Sequence, residues 1–277
     1  MDRQFSLAYL TIPGVDPVEH IRIAKQTGYD LVGLRTIPLG LPGEPEFLIH
    51  KDPALFRAVR EALEYYDMKV LDIELARIHP DLDIRAYDPA FEAAAALGAT
   101  DVLGSVWTRD RGFYTDQVGQ VAEMAAKYGL NYNVEFLPWA GVRNLQEAIT
   151  LVESLSCDNL FIMPDTLHAG RVGVTPQELK RADPALFRYV HLCDGPVGDD
   201  GEPVLNDIRD ERMLRVAREE RLYPGEGVMK PAELLAVLPE IPVALELPNL
   251  KRMQELGAEG HARRCLETAK ACLQKQN

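Results

Sequence analysis

Short apolar segments that favour β-strands alternate with segments of helical periodicity along this chain, and this alternation limits the possible folds more than any other feature. The predicted strands cover residues 5–10, 29–34, 69–75, 101–106, 131–139, 159–163, 187–192 and 242–247. Such alternation is typical of a parallel sheet, and eight units favour closure into a barrel. A (β/α)8 TIM barrel of about 250 residues would fill this chain without a linker. We therefore predict an α/β protein with a single TIM-barrel domain over residues 1–277.

Helices and long polar loops fill the intervals between these strands. The helices are predicted over residues 16–28, 54–66, 89–97, 116–128, 145–155, 176–181, 209–220, 231–237 and 253–273. The two long loops cover residues 36–52 and 194–206. A long loop that follows a strand in a compact domain is more often a functional lid than a spacer. We expect the first loop to help set specificity.

Acidic and imidazole side chains stand at the ends of the last four predicted strands. These residues are Glu135, Asp165, His168, His191, Asp194 and Glu246. In a parallel barrel the C-terminal strand ends converge on one face, where the active site lies. Any one of these side chains could simply face solvent, but four successive strand ends favour a shared site. Three carboxylates and one imidazole suit one divalent ion, with Mn²⁺ or Mg²⁺ favoured and Co²⁺, Fe²⁺ or Zn²⁺ also compatible.

This set of residues resembles the sugar phosphate isomerase/epimerase superfamily, which is the xylose isomerase-like TIM barrel group (AP endonuclease family 2). The motif comprises Glu135, Asp165-x-x-His168, His191-x-x-Asp194, Arg221 before Pro224-Gly225-Glu226-Gly227, and Glu246. The resemblance implies that Glu135, Asp165, His191 and Glu246 bind the metal. It also implies that Glu135 and Glu246 form an acid/base pair, that His168 contacts the substrate, and that Arg221 supports a developing oxyanion. Asp194 would orient His191 or the neighbouring loop.

The predicted function is that of a divalent-metal-dependent isomerase or epimerase acting on a small keto sugar or polyol-derived ketone. Metal binding by the carbonyl lowers the cost of removing the adjacent proton, and a carboxylate can take it to give an enediolate. The same chemistry supports an alternative, a dehydratase (lyase) acting on a cyclic β-hydroxy ketone such as an inosose or 3-dehydroshikimate. A non-catalytic sugar-binding barrel is a third possibility, since fold alone does not imply catalysis.

Weaker candidates lie at the ends of the other strands. Trp107, Trp139 and Glu74 could line a substrate pocket. Three arginines could bind an anionic group but are interpreted as solvated surface residues, namely Arg35, Arg77 and Arg109. Three histidines without evident partners are also interpreted as surface residues, namely His20, His50 and His261. Cys193 is interpreted as a small buried apolar residue.

Composition excludes several classes of partner. The formal net charge of −13 argues against nucleic-acid binding. The endonuclease branch of the superfamily is disfavoured further, because segments 74–77 and 107–109 contain no histidine. No stretch approaches a membrane span or a signal peptide, and the four cysteines form no C-x-x-C pair. We expect a cytoplasmic protein with a small-molecule substrate, and the resemblance allows a homodimer or homotetramer.

Overall fold

The computed structural model describes residues 3–40, 44–197 and 211–274, and these contain eight parallel strands that form a nearly closed barrel. The strands are β1 (Phe5–Leu7), β2 (Leu31–Arg35), β3 (Lys69–Ile78), β4 (Asp101–Val106), β5 (Asn131–Glu135), β6 (Leu160–Met163), β7 (Val190–Leu192) and β8 (Val243–Leu245). The prediction of a (β/α)8 TIM barrel is confirmed.

The strand order is β6-β5-β4-β3-β2-β1-β8-β7, so β1 to β6 each pair with their neighbours in sequence, β7 pairs with β8, and β8 pairs with β1. Two isolated parallel bridges, Ile162 with Phe187 and Asp165 with His191, connect β6 to β7. The second of these bridges joins two of the predicted metal ligands. Closure of the barrel therefore brings the end of the β6 segment directly beside β7.

Helices surround the barrel between the strands. Those in the described part of the chain are α1 (Pro17–Thr27), α2 (Pro53–Tyr66), α3 (Asp88–Ala96), α4 (Arg111–Ala126), α5 (Leu145–Ser154), α6 (Thr166–Arg171), α7 (Pro176–Arg181), α8 (Glu211–Glu219), α9 (Pro231–Leu235) and α10 (Leu250–Gln274). Local sequence fixes several starts, since Asp16 and Asp52 each cap a helix whose first residue is proline. No helix in the described ranges is both long and apolar enough to cross a membrane.

Several element boundaries differ from the predicted ones for local reasons. The predicted strand 131–139 ends at Glu135, because the chain then turns and the Leu137 N–H donates to the Val142 carbonyl. Helix α4 begins at Arg111, where the Asp110 side chain accepts from the Phe113 N–H, and not at residue 116. Helix α6 was not predicted. Residues 198–206 of the second long loop and residues 209–210 of the predicted 209–220 helix lie outside the described residues.

Apolar side chains fill both the space between barrel and helices and the barrel interior. The interior cluster consists of Ala8, Leu31, Leu71, Leu75, Leu103, Met163, Tyr189 and Ala244. Burying side chains of this kind favours folding by roughly 1.5–3 kcal/mol for each large one. Buried polar side chains lie both near the N-terminal end of β4, where Asp101 pairs in register with Asp72, and at the C-terminal end, where the predicted site residues lie.

Two of the histidines interpreted as surface residues are buried, so that interpretation is wrong for His20 and His261. His20 Nε2 lies 3.1 Å from the Leu7 carbonyl oxygen of β1. His261 Nδ1 lies 2.9 Å from the Tyr223 hydroxyl, and its Nε2 lies 3.0 Å from the Leu247 carbonyl oxygen. Each imidazole therefore lies between a helix and the barrel, with one ring nitrogen within hydrogen-bond distance of a backbone carbonyl oxygen. His50 is partly exposed.

Candidate metal centre

The four predicted metal ligands lie together at the C-terminal end of the barrel. Glu135 is the last residue of β5, Asp165 follows β6, His191 lies within β7, and Glu246 follows β8. All four side chains are buried, and one potential ligand atom from each lies within 4.8 Å of the others. Among the acidic, histidine and cysteine side chains of the described residues, these four converge closely enough to hold a metal ion.

Asp165 serves two structural purposes with its two carboxylate oxygens. Oδ1 accepts from the Leu167 N–H at 2.7 Å and from the His168 N–H at 3.2 Å, which caps helix α6. Oδ2 faces the centre, 2.6 Å from Arg221 Nη1 and 3.9 Å from His191 Nδ1. The cap fixes the carboxylate in an orientation that leaves one oxygen available at the site.

His191 is surrounded by carboxylates. Its Nδ1 lies 3.4 Å from Glu246 Oε2, and its Nε2 has no hydrogen-bond partner among the described residues. Burial lowers the pKa of His191, but Glu246, Glu135 and Asp165 outweigh burial and raise that pKa to about 10. The metal-free cluster thus holds a proton where a metal ion would supply positive charge.

The two glutamates at the centre have opposite protonation preferences. Burial, together with Glu246 and Asp165, raises the pKa of Glu135 well above its ordinary value. Burial also acts on Glu246, but Arg221 and His191 outweigh it and hold the pKa of Glu246 well below its ordinary value. One buried carboxyl of the pair therefore favours its protonated form and the other its ionised form, and the action of the two glutamates as an acid/base pair stays a prediction.

Arg221 reaches the centre on a segment inserted between the ends of β7 and β8. Leu222 forms an antiparallel bridge with Asp194, and the Arg221 N–H donates to the Pro248 carbonyl. The Arg221 guanidinium donates to Asp165 Oδ2 at 2.6 Å and lies 2.7 Å from Glu246 Oε2. In this arrangement Arg221 neutralises two of the four ligands. Its role toward an oxyanion stays a prediction.

Asp194 organises the loop that follows Arg221. Its Oδ1 accepts from the backbone N–H groups of Gly195 and Met229, both at 2.9 Å. Its Oδ2 accepts from those of Gly225 and Gly227, both at 3.0 Å. These four bonds orient the loop, which is one of the two roles that the motif suggested for Asp194.

Glycine is needed at one position in this loop. A Cβ atom at Gly227 would overlap the Gly195 carbonyl oxygen and would lie 2.5 Å from Asp194 Oδ1. Larger residues therefore cannot replace Gly227 without shifting the backbone. This accounts for the second glycine of the Pro-Gly-Glu-Gly sequence.

His168 and Trp139 form one wall next to Glu135. His168 Nε2 lies 3.8 Å from Glu135 Oε1, and the Trp139 ring meets the His168 ring edge-on at a centroid distance of 5.0 Å. Burial lowers the pKa of His168 to about 3, so its imidazole is neutral. Its Nδ1 has no partner among the described residues, which leaves a polar atom for a ligand. Direct substrate contact by His168 stays a prediction.

Glu74 lies on β3, and Trp107 directly follows the neighbouring strand β4. The Trp107 indole N–H donates to Ser105 Oγ at 2.8 Å, and Ser105 is paired in register with Glu135. Glu74 is buried, and its carboxyl interacts electrostatically with Glu246 and His191. Both residues are therefore near the metal centre, and their contact with substrate stays a prediction.

The three arginines interpreted as surface residues have different environments. Arg35 is only 3% exposed, so the interpretation is wrong for it. Arg77 is half-buried and donates to the Leu39 carbonyl at 2.8 Å. Arg109 is exposed and lines a groove of about 350 Å³ with Arg111 and Arg143. None of the four metal-centre residues lines that groove.

Cys193 is buried, as its interpretation required, but it has polar neighbours. Its Sγ lies 3.3 Å from Arg221 Nη1 and 3.8 Å from Asp165 Oδ1. Burial and the Asp165 carboxylate raise the pKa of the Cys193 thiol. The thiol is therefore neutral and fills space behind the ligands.

The donor set fits a divalent metal ion. Three buried carboxylates at close range repel one another unless positive charge is placed between them. His191 Nε2 and the converging carboxylate oxygens are suitable ligands. The four residues can therefore hold one ion, and the oxygen-rich set does not by itself distinguish Mn²⁺, Mg²⁺ and Zn²⁺.

Known proteins of similar sequence and structure share this architecture. A family model described as xylose isomerase-like TIM barrel matches residues 21–269. An inosose isomerase of Bacillus velezensis is 22% identical over 278 residues, which cover 93% of this chain and 92% of that protein. A crystal structure of an IOLI protein with a bound zinc atom has a TM-score of 0.79 and 19% identity, and the match covers 98% of both chains.

A further crystal structure, of D-allulose 3-epimerase from Methylomonas sp., has a TM-score of 0.68 and 17% identity, and the match covers 99% of both chains. At these identities the structural likeness establishes the fold. The family model covers most of the sequence, and it agrees with the resemblance seen in the strand-end motif. The chain belongs to the xylose isomerase-like TIM barrel family.

Proposed function

We propose that this protein is a divalent-metal-dependent isomerase or epimerase acting on a small hydroxy ketone, either a keto sugar or a polyol-derived ketone. The observation that carries the proposal is the buried cluster of three carboxylates and one imidazole, with Arg221 against it. The relatives named inosose isomerase and the epimerase structures support this class of reaction. A purely binding barrel would gain nothing from two buried glutamates with opposite protonation preferences.

Glu135, Asp165, His191 and Glu246 would hold the ion. When bound, it would polarise a carbonyl and so acidify the adjacent C–H group. Glu135 and Glu246 would exchange the proton with the substrate carbon, one removing it and the other returning it. Return to the opposite face of the same carbon gives epimerisation, and return to the neighbouring carbon gives isomerisation.

Arg221 determines the charge of Glu246 in this proposal. The Arg221 guanidinium lies 2.7 Å from Glu246 Oε2 and holds the pKa of that carboxyl well below its ordinary value, so Glu246 is ionised and available as a metal ligand. Burial raises the pKa of Glu135, and a bound cation would favour its ionised form as well. Either glutamate would therefore serve as the base for one face of the substrate, with the other returning the proton.

Neutral His168 and the wall formed by Trp139 would orient the substrate. A neutral imidazole with a free Nδ1 can donate or accept one hydrogen bond, depending on its tautomer. Trp107, fixed by its bond to Ser105, would exclude water on the β4 side. Exclusion of water strengthens the electrostatic effects of the nearby charges on the substrate.

The test is proton NMR in D₂O with Mg²⁺-loaded and metal-stripped protein. The substrates are a panel of ketoses, inososes and 3-dehydroshikimate. The proposal predicts metal-dependent loss of the C–H signal beside the carbonyl, followed by an epimer or an aldose. A new vinylic proton would show elimination of water and would establish the dehydratase alternative instead.

Two matched variants complete the experiment. Glu246→Gln should abolish exchange, whereas Glu226→Gln, a change at an exposed acid on the neighbouring loop, should leave exchange intact. Exchange that persists at the wild-type rate in Glu246→Gln would overturn the mechanism. Absence of exchange with every compound in the panel, in protein shown by elemental analysis to contain the metal, would contradict the proposed activity.

A further inference from the structure

A second buried charged cluster lies on the side of the barrel mouth formed by β2 and β3. Arg35, the last residue of β2, has a side chain that is 1% exposed. Its Nη1 lies 3.1 Å from Glu44 Oε1, and its Nη2 lies 3.2 Å from Glu74 Oε2. The guanidinium also stacks over the Tyr9 ring at 4.8 Å from the ring centre. A buried arginine held on three sides is a positioned group and not a solvated surface charge.

This cluster faces the metal centre. Arg35 and Glu74 are partners in the register between β2 and β3, at the C-terminal end of the barrel. Glu74 is close enough to the centre for its carboxyl to interact electrostatically with Glu246 and His191. Strands β2 and β3 lie across the barrel from β6 and β7. A substrate bound at the metal would therefore extend its far end toward Arg35 and Glu74.

Buried polar atoms in the cluster lack partners among the described residues. They are Glu74 Oε1, Arg35 Nε and Thr36 Oγ1. Buried polar groups without hydrogen bonds are rare, because each such group loses the hydrogen bonds that water would give it. Hydroxyl groups satisfy both kinds of atom, since a hydroxyl can accept from a guanidinium and donate to a carboxylate.

Charge balance disfavours an anionic ligand at this position. The Arg35 guanidinium is already shared by two carboxylates, so a phosphate or carboxylate bound there would lie against Glu44 and Glu74. Arg221 is likewise committed to Asp165 and Glu246. Arg171, which is buried near His168, is also engaged in an interaction. Among the described residues, Arg35 and Arg221 are therefore both already paired with carboxylates.

We propose that Arg35 and Glu74 recognise hydroxyl groups, and not an anionic group, at the end of the substrate remote from the metal. This inference rests on the proposed function and adds two specificity-determining residues. Arg35 donates to a hydroxyl oxygen, and Glu74 accepts from the same hydroxyl or from its neighbour. A hydrogen bond to a charged group has a free energy that corresponds to about a 10- to 150-fold effect on specificity.

The test compares two substrates in two variants. An inosose carries hydroxyls around its whole ring, whereas hydroxyacetone has only the carbonyl and one neighbouring hydroxyl. Glu74→Gln, which keeps the shape of the side chain, should reduce kcat/KM for inosose about 10- to 150-fold more than it reduces the rate of α-proton exchange of hydroxyacetone. Arg35→Met should behave similarly, and Arg109→Met serves as the surface control. Equal loss with both substrates would mean that Glu74 acts on the metal centre, and it would overturn the inference.

Binding measurements separate this inference from the proposed function. Calorimetry with Mg²⁺-loaded protein measures the affinity for inosose, 3-dehydroshikimate and fructose 6-phosphate without requiring turnover. We expect inosose to bind at least 10-fold more tightly than either anion, and Glu74→Gln to remove that preference. If inosose binds in this Glu74-dependent way but never exchanges its proton, the inference stands and the proposed activity fails. If the anions bind more tightly, or if inosose does not bind, the inference is wrong.

Discussion

Replacement of Asp194 by alanine should destabilise the protein strongly, because one buried carboxylate holds four backbone N–H groups. Two of its bonds, from Gly195 and Met229, are fully buried. The other two, from Gly225 and Gly227, are partly buried, so water can replace part of what they lose. With about 1.5–3 kcal/mol for each hydrogen bond to a charged group, and with incomplete additivity, we expect a loss of about 3–5 kcal/mol.

With an unfolding entropy of about 2.1 cal/mol/K per residue, this free energy converts to a fall in Tm of about 5–9 °C for a protein of 277 residues. Differential scanning calorimetry at one pH and one metal concentration measures the shift. Asp194→Asn should lie between the alanine variant and the wild type, because the amide keeps one acceptor and turns a donor toward the other N–H groups. Activity should fall as well, since the Asp194 side chain holds Gly225 and Gly227 in the loop that directly follows Arg221.

The control for this prediction is Glu226→Gln in the same loop. Glu226 is exposed and forms an ion pair with Arg252 at 2.7 Å. Exposed pairs of this kind contribute about 0–1 kcal/mol, so the control should melt within a few degrees of the wild type. If Asp194→Ala melts as the control does, the four bonds do not stabilise the loop and the reasoning is wrong.

Three further predictions concern the buried titratable groups. Metal binding near pH 7.5 should release at least one proton, because the pKa of metal-free His191 is raised to about 10. Calorimetry in buffers of different ionisation enthalpy counts the released protons. Tight metal binding without proton release would contradict the assignment of His191 as a ligand. Glu135→Gln should lower kcat by about 10²–10⁴ with little change in the Tm of metal-free protein, because Glu135 already favours its protonated form. Glu246→Gln should lower both kcat and Tm, since it removes one of the two carboxylates paired with Arg221. Equal melting of the two variants would refute this difference. His20→Gln should reduce the loss of stability on acidification, because burial lowers the pKa of His20 in the folded protein from 6.5 to about 4. The wild type should therefore lose about 2 kcal/mol of unfolding free energy through His20 between pH 7 and pH 5, as measured by urea unfolding. Parallel pH profiles for the variant and the wild type would contradict this prediction.

The sequence is sufficient to predict the barrel because each strand carries its own signal. Buried parallel strands are continuous apolar runs, and helices between them show a different period. The same local signal does not fix where a strand ends. Residues 136–139 are as apolar as β5 itself, but the chain turns after Glu135, where the Leu137 N–H donates a hydrogen bond to the Val142 carbonyl. The hydrophobic periodicity of the sequence does not predict a hydrogen bond between these two residues.

For His20 and His261, residue type and helical position give opposite expectations, since histidine is polar but both residues lie on a buried helix face. His20 stands three residues before Ile23 and four before Ala24, and both of those are buried. His261 stands four residues before Cys265 and eight before Ala269, on the buried face of α10. These spacings place the imidazoles on the apolar side of their helices. The signal was present, but a histidine is polar enough to be interpreted as exposed when its backbone acceptor is not known.

The sequence predicts the four metal-centre residues better than it predicts the cluster of Arg35, Glu44 and Glu74. Each ligand stands at or just beyond a strand end, so the parallel barrel alone brings Glu135, Asp165, His191 and Glu246 together. Arg35 also stands at a strand end, but its meaning depends on Glu44, which comes from a loop, and on Glu74. A lone arginine at a strand end is more often a solvated surface residue than an anion-binding one. The two carboxylates against the Arg35 guanidinium replace that expectation with the proposed recognition of neutral hydroxyls. In this proposal the metal ligands determine the chemistry that the barrel can support, and Arg35 and Glu74 determine which substrate binds.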